Sequence, residues 1–141
     1  MVCGGFPEVQ GVDTATHHSL LRDYVDVALM RDVMANLGHA LETVILVELE
    51  RRRMEVNYVR TPSGYEVDFL ARRPGERPEL IQVCTDLGTP EVAEREIRAL
   101  EDVAKVFPKG TRRLLTITRD AMPSDVPQNV VVQPAYEWLL S

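Results

Sequence analysis

The chain has 141 residues, 45% of them hydrophobic and 27% charged, which fits one ordinary domain with an appended arm and excludes both a disordered chain and two full domains. Its formal net charge of −6 runs against the basic footprint with which dedicated nucleic-acid binders displace counterions from phosphate. No apolar run approaches a membrane span, since the best, Val44 to Val47, is bounded by Glu42 and Glu48; with no basic, apolar leader at the N-terminus, the expectation is a cytoplasmic protein away from membranes.

The first fifteen residues, with Gly4-Gly5, Phe6-Pro7 and Gly11, read as loop. From Thr16 the apolar residues Leu20, Leu21, Tyr24, Val25, Ala28 and Leu29 recur at helical spacing, and Asn36-Leu37-Gly38 offers a helix stop. A second amphipathic helix is predicted from about His39 to Arg53, apolar at Leu41, Val44, Ile45 and Leu49, with three arginines at the negative end of its dipole. The period then shortens. Val56 to Arg60 and Tyr65 to Ala71 read as two strands of a hairpin around Thr61-Pro62-Ser63-Gly64, and Glu79 to Cys84 as a third strand after a Pro-Gly turn. Pro90 to Phe107 returns to helical spacing, with Pro90 suited to a first turn. Arg113 to Thr118 and Asn129 to Val132 complete the strands, and Pro134 to Leu140, with the sole tryptophan, closes as a short helix. This order predicts an α/β fold, a mixed sheet flanked by helices with an N-terminal helical arm.

Three segments carry a resemblance: Gly38-x-x-Leu41-Glu42, then Arg60-Thr61-x-Ser63-Gly64-x-Glu66-Val67-Asp68-Phe69, then Ile81-Gln82-Val83-Cys84. Together they resemble the C-terminal domain, of the DUF4143 type, of a widespread prokaryotic ATPase family, a domain similar to the PD-(D/E)xK nuclease superfamily. The resemblance covers residues 38–141 and implies a restriction-endonuclease-like sheet. Gly4-Gly5-Phe6-Pro7-Glu8, Leu21-x-x-Tyr24-Val25-Asp26 and Arg31-Asp32 look like the end of the ATPase module of the same family. Residues 1–37 would then be a remnant arm, with the intervening winged-helix region of full-length relatives missing. No Gly-Lys-Ser/Thr phosphate loop is present, so ATP hydrolysis is not expected.

A nuclease of this superfamily needs carboxylates to hold Mg²⁺ and a lysine to position the attacking water. By resemblance Asp68 matches the strand aspartate and Glu42 the helical glutamate, while Gln82 and Cys84 occupy the Glu-x-Lys positions. Gln82 offers a neutral oxygen in place of a charge, and a thiol at Cys84 cannot replace an ammonium. Strand alternation puts Gln82, Cys84 and Asp86 on one face, so Asp86 is either a migrated carboxylate or the start of a loop. Glu66 and Asp68 share a face by the same rule.

If the site is active, Asp68, Glu42 and Gln82 would hold Mg²⁺ or Mn²⁺; otherwise no cofactor is expected. Cys3 and Cys84 are too few for a disulfide framework. His17 and His18 diverge on a helix, His39 and Glu48 face solvent, Arg95-Glu96 is an ion pair, and Thr118-Arg119-Asp120 is turn chemistry. The arginine runs at 51–53, 72–73 and 112–113 read as solvated ends, or else as a local basic patch for nucleic acid. The functional expectation is a catalytically impaired nuclease-like module acting in binding or assembly, as a homodimer or through a protein partner at the N-terminal helix. The alternative is a metal-dependent DNA hydrolase with a rearranged site.

Overall fold

A computed structural model describes residues 14–85 and 89–141. The expected N-terminal loop, Cys3, Asp86 and the side chains of His17 and His18 lie outside the described residues. The chain divides into two units, Met1–Asn36 and Leu37–Ser141. The described part of the first is helical throughout.

Helix α1, Thr14–Arg51, is a single helix of 38 residues. Two helices with a stop at Gly38 were expected, and the structure corrects this. A Gly ends a helix when it takes the left-handed conformation, but Gly38 is not among the residues with positive φ, which are Arg53, Gly64 and Gly75. In a right-handed conformation a glycine costs a helix only about 1 kcal/mol relative to Ala and does not break it. The left-handed stop falls instead at Arg53, where Met54 N–H reaches back to Leu49 O at 3.0 Å.

In the second unit, β1 (Glu55–Arg60), β2 (Glu66–Arg72), β3 (Glu79–Cys84), β4 (Thr111–Thr116) and β5 (Val130–Pro134) form one sheet in sequence order. The β1–β2 and β2–β3 pairs are antiparallel, whereas β3–β4 and β4–β5 are parallel. The mixed sheet expected from a hairpin followed by a helical crossover is therefore present. The crossover is α2 (Pro90–Val106), and α3 (Ala135–Leu139) follows β5.

Alternation along β3 divides the core. Leu80 joins Leu100, Val103 and Leu114 on the side covered by α2, while Ile81 and Val83 join Ile45 and Leu49 of α1 and Trp138 of α3 on the other. The helices thus cover both faces of the sheet. Between Asn57 and Val59 the β2 partner moves from Leu70 to Val67, three residues against two, so β2 carries a bulge beside Asp68.

Helix α2 shows its sequence logic most fully. Thr89 is its N-cap, the hydroxyl accepting from Val92 N at 3.4 Å, and Pro90 opens the first turn. At 3.4 Å this cap bond is long, so Thr89→Ala is expected at the low end of the usual range, about 0.5–1 kcal/mol lost in urea denaturation.

Several arginines expected to be solvated ends are structural instead. The Arg52 guanidinium lies 4.4 Å from the Trp138 ring centroid and donates to Trp138 O at 2.8 Å. Arg113 bonds Glu79 at 3.0 Å and also Gln133. Glu48, expected to face solvent, is paired with Arg51 at 2.7 Å and Arg52 at 2.6 Å. Hydrogen bonds from these two guanidinium groups hold its carboxyl down at about 2. The His39 side chain is 80% exposed, as expected, with Glu42 at 3.9 Å.

Candidate active site

The antiparallel ladder between β2 and β3 runs from Ala71↔Glu79 to Phe69↔Ile81 and stops there. The next pair in that register would be Asp68 with Gln82. Their side chains take over from the backbone: Asp68 N–H donates to Gln82 Oε1 at 3.2 Å, and Val83 N–H donates to Asp68 Oδ2 at 2.8 Å. The two strands separate at this point without leaving these two amide hydrogens unpaired, which a buried backbone requires.

The other end of Gln82 is also engaged. Its Nε2 donates to Glu96 Oε2 of α2 at 2.7 Å, and Glu96 Oε1 accepts from Arg95 Nη2 at 2.6 Å and Nε at 3.0 Å. Gln82 and Glu96 are each only 8% exposed. A chain of bonds therefore runs from the Asp68 backbone through Gln82 and Glu96 to Arg95. Glu66, Asp68, Gln82, Arg95 and Glu96 line a cleft of about 380 Å³ together with Gly64, Tyr65 and Ala99.

The electrostatics follow from this crowding. Burial pushes the Asp68 carboxyl up to about 6, the charges of Glu42, Glu96 and Glu66 push the same way, and the Val83 N–H pulls against them. Asp68 is thus poised to carry a proton close to neutral pH. Arg95, whose guanidinium bonds Glu96, is held further in its charged form by that pair.

The predicted site residues are brought together unequally. Asp68 and Gln82 are in direct contact, and Glu42 is near enough to repel Asp68 but does not line the cleft. Cys84 is half-buried and packs against the cluster beneath α2, within the field of Arg95. Glu66 and Asp68, expected on one face, both line the cleft.

Glu96 was read from sequence only as the partner of Arg95, and that ion pair is present. Its bond to Gln82 was missed. The signal was available: Glu96 is a charged residue at a position that the Ala93, Ile97, Leu100, Ala104 repeat of α2 assigns to the buried side. A charge there is expensive unless it is paired.

As arranged, these donors do not fit a Mg²⁺ ion. Among the described residues no three His, Cys, Asp or Glu side chains stand where they could share a metal. The Gln82 oxygen accepts Asp68 N–H, and both Glu96 oxygens are occupied by Gln82 and Arg95. No family model, curated protein or solved structure matches the chain.

Proposed function

We propose that residues 38–141 are a nuclease-like module with impaired catalysis, derived from an ATPase family and acting in binding or assembly. The observation that supports this most is the engagement of Gln82 on both sides. At the position where the resemblance requires a metal-binding glutamate, the amide serves as a strut between Asp68 and Glu96. Cys84 stands where that chemistry needs an ammonium, and the one cation among the described residues lining the cleft, Arg95, is spent on Glu96.

The test is plasmid nicking. With a large excess of protein over supercoiled DNA and millimolar Mg²⁺ or Mn²⁺, no nicked circle is expected, and titration calorimetry is expected to show no heat of metal binding. Nicking that Asp68→Ala abolishes would overturn this reading in favour of a metal-dependent hydrolase. The raised pKa of Asp68 gives that second reading its one support, because a divalent cation would offset the burial that raises it most and the smaller repulsion from Glu42, Glu96 and Glu66.

A further inference from the structure

A second and larger cleft, of about 810 Å³, lies between α2 and the segment 122–127 that leads into β5. It shares no residue with the cleft at Asp68. Pro90, then Ala93 and Glu94, then Ile97 and Arg98, then Glu101 stand on successive turns of α2, so one face of the helix makes one wall. The floor is apolar: Ala93 is 5% exposed and Ile97 8%, and Met122, Pro123 and Pro127 of the facing segment are half-buried.

The rim carries the charge. Glu94, Arg98, Glu101 and Asp125 line the cleft and are all exposed. The one cation among them, Arg98, is bonded to Glu94 and to Tyr65. Glu101 and Asp125, one on each wall, are left without an ion-pair partner among the described residues. Lys105, one turn beyond Glu101, bonds Asp102 at 2.8 Å and acts on Glu101 only at longer range.

We propose that this cleft takes an extended peptide segment of a partner protein, with an apolar side chain on the floor and a basic residue on either side of it. The inference rests on the binding role proposed above and gives the partner its chemistry. Size supports a peptide. From Pro90 to Glu101 the helix wall runs about 16 Å, the reach of about five extended residues, and the volume falls within the range of about 300–1,000 Å³ usual for ligand clefts. Charge supports basic flanks, because three carboxylates against one guanidinium repel an acidic segment and draw in a basic one. The facing segment supports both. Pro123 and Pro127 have fixed φ angles, so this wall gives up little entropy when a ligand docks, and they remove two amide donors that an anionic ligand would use.

The probe is an acetylated, amidated pentapeptide with leucine at its centre and arginine at both ends, added to the intact chain and followed by amide chemical shifts. Saturable shifts are expected at Ala93, Ile97, Glu101, Ser124 and Asp125 with peptide at about millimolar concentration or below. Serine in place of the central leucine is expected to weaken binding on the order of ten-fold. Glu101→Gln combined with Asp125→Asn is expected to do the same, and added salt to narrow that difference. Both side chains are exposed, so the variant's circular dichroism spectrum is expected to match that of the unaltered chain.

No shifts at millimolar peptide would overturn the proposal, as would equal binding of a peptide with glutamate at both ends, or shifts confined to the cleft at Asp68. Shifts at these residues that follow protein concentration without any peptide would put a second copy of the chain there instead. The nicking result is separate: failure of the peptide to bind leaves the reading of Gln82 intact, and nicking leaves the peptide cleft intact.

Discussion

Replacing Asp68 by asparagine is expected to stabilise the fold by roughly 2–3 kcal/mol at pH 8 and to leave it almost unchanged at pH 4. An Asn oxygen can still accept the Val83 N–H that Asp68 Oδ2 accepts at 2.8 Å. What disappears is a charge buried among Glu42, Glu66 and Glu96. The folded-state pKa, about 6, lies above the ordinary aspartate value of 3.8, so the folded chain binds the proton more tightly than the unfolded one. The stability that this proton supplies is complete below about pH 4 and is lost as pH rises through about 6. Above that range the unaltered chain carries the full penalty. Urea denaturation of both proteins at several pH values checks this: the difference should open between pH 4 and 7 and then stay constant. A difference independent of pH would mean that the carboxyl is not the source.

The comparison between the two proteins matters more than either profile. Other carboxyls act in the opposite direction, because Glu48 and Asp102 are held low by Arg51 and by Lys105 respectively. Their contribution is lost as pH falls, which produces ordinary acid unfolding and obscures the Asp68 trend in a single curve. Subtracting the curves removes what the two proteins share.

Trp138→Ala is expected to cost about 3–5 kcal/mol, the range for deleting a large buried aromatic. Trp138 is 2% exposed and shares its cluster with Ile45 and Leu49 of α1, Ile81 of β3 and Leu115 of β4. It therefore joins α3 to both the helix and the sheet. The loss also removes the ring beneath the Arg52 guanidinium, an interaction worth roughly 0.5–2 kcal/mol. Against a typical total of about 5–15 kcal/mol for a domain, the variant sits near the limit of folding. The measurement is the urea midpoint together with the near-ultraviolet signal of the remaining aromatics. Tyr136, on the same short helix but 47% exposed, is the control, and Tyr136→Ala is expected to change stability by about 0.5 kcal/mol or less.

The position of Trp138 also explains why α3 can be so short. Five residues, Ala135–Leu139, cannot hold a helix in water by their own hydrogen bonds. Burial of Ala135 and Trp138 anchors it, and the Arg52 bond to Trp138 O satisfies a carbonyl at its end. This single tie links residues that are 86 positions apart in the chain.

Along the chain, the sequence determined what depends on near neighbours. Apolar spacing placed α2 and the five strands within a few residues, the Ser63-Gly64 turn closed the β1–β2 hairpin, and the shift from hairpin to crossover fixed a sheet that is antiparallel on one side and parallel on the other. The resemblance picked out Asp68 and Gln82, which do touch. Local signals failed at Gly38, because a glycine can end a helix or sit inside one, and which it does depends on the backbone it must join. Parity put Glu66 and Asp68 on one side, but only the assembled sheet showed that its ladder stops at Phe69 and that two side chains finish it.

The role of Glu96 was decided by tertiary structure alone. Its bond to Gln82 spans 14 residues and exists because α2 crosses over β3. The spacing of α2 places Glu96 on the buried side, but no spacing reveals which group meets it there. The raised pKa of Asp68 has the same origin, since burial and three carboxylates from three different elements act on it together. Sequence periodicity reports which side of an element is covered, whereas partners across the core are chosen by how the elements pack, and the chemistry of this cleft lies in those partners.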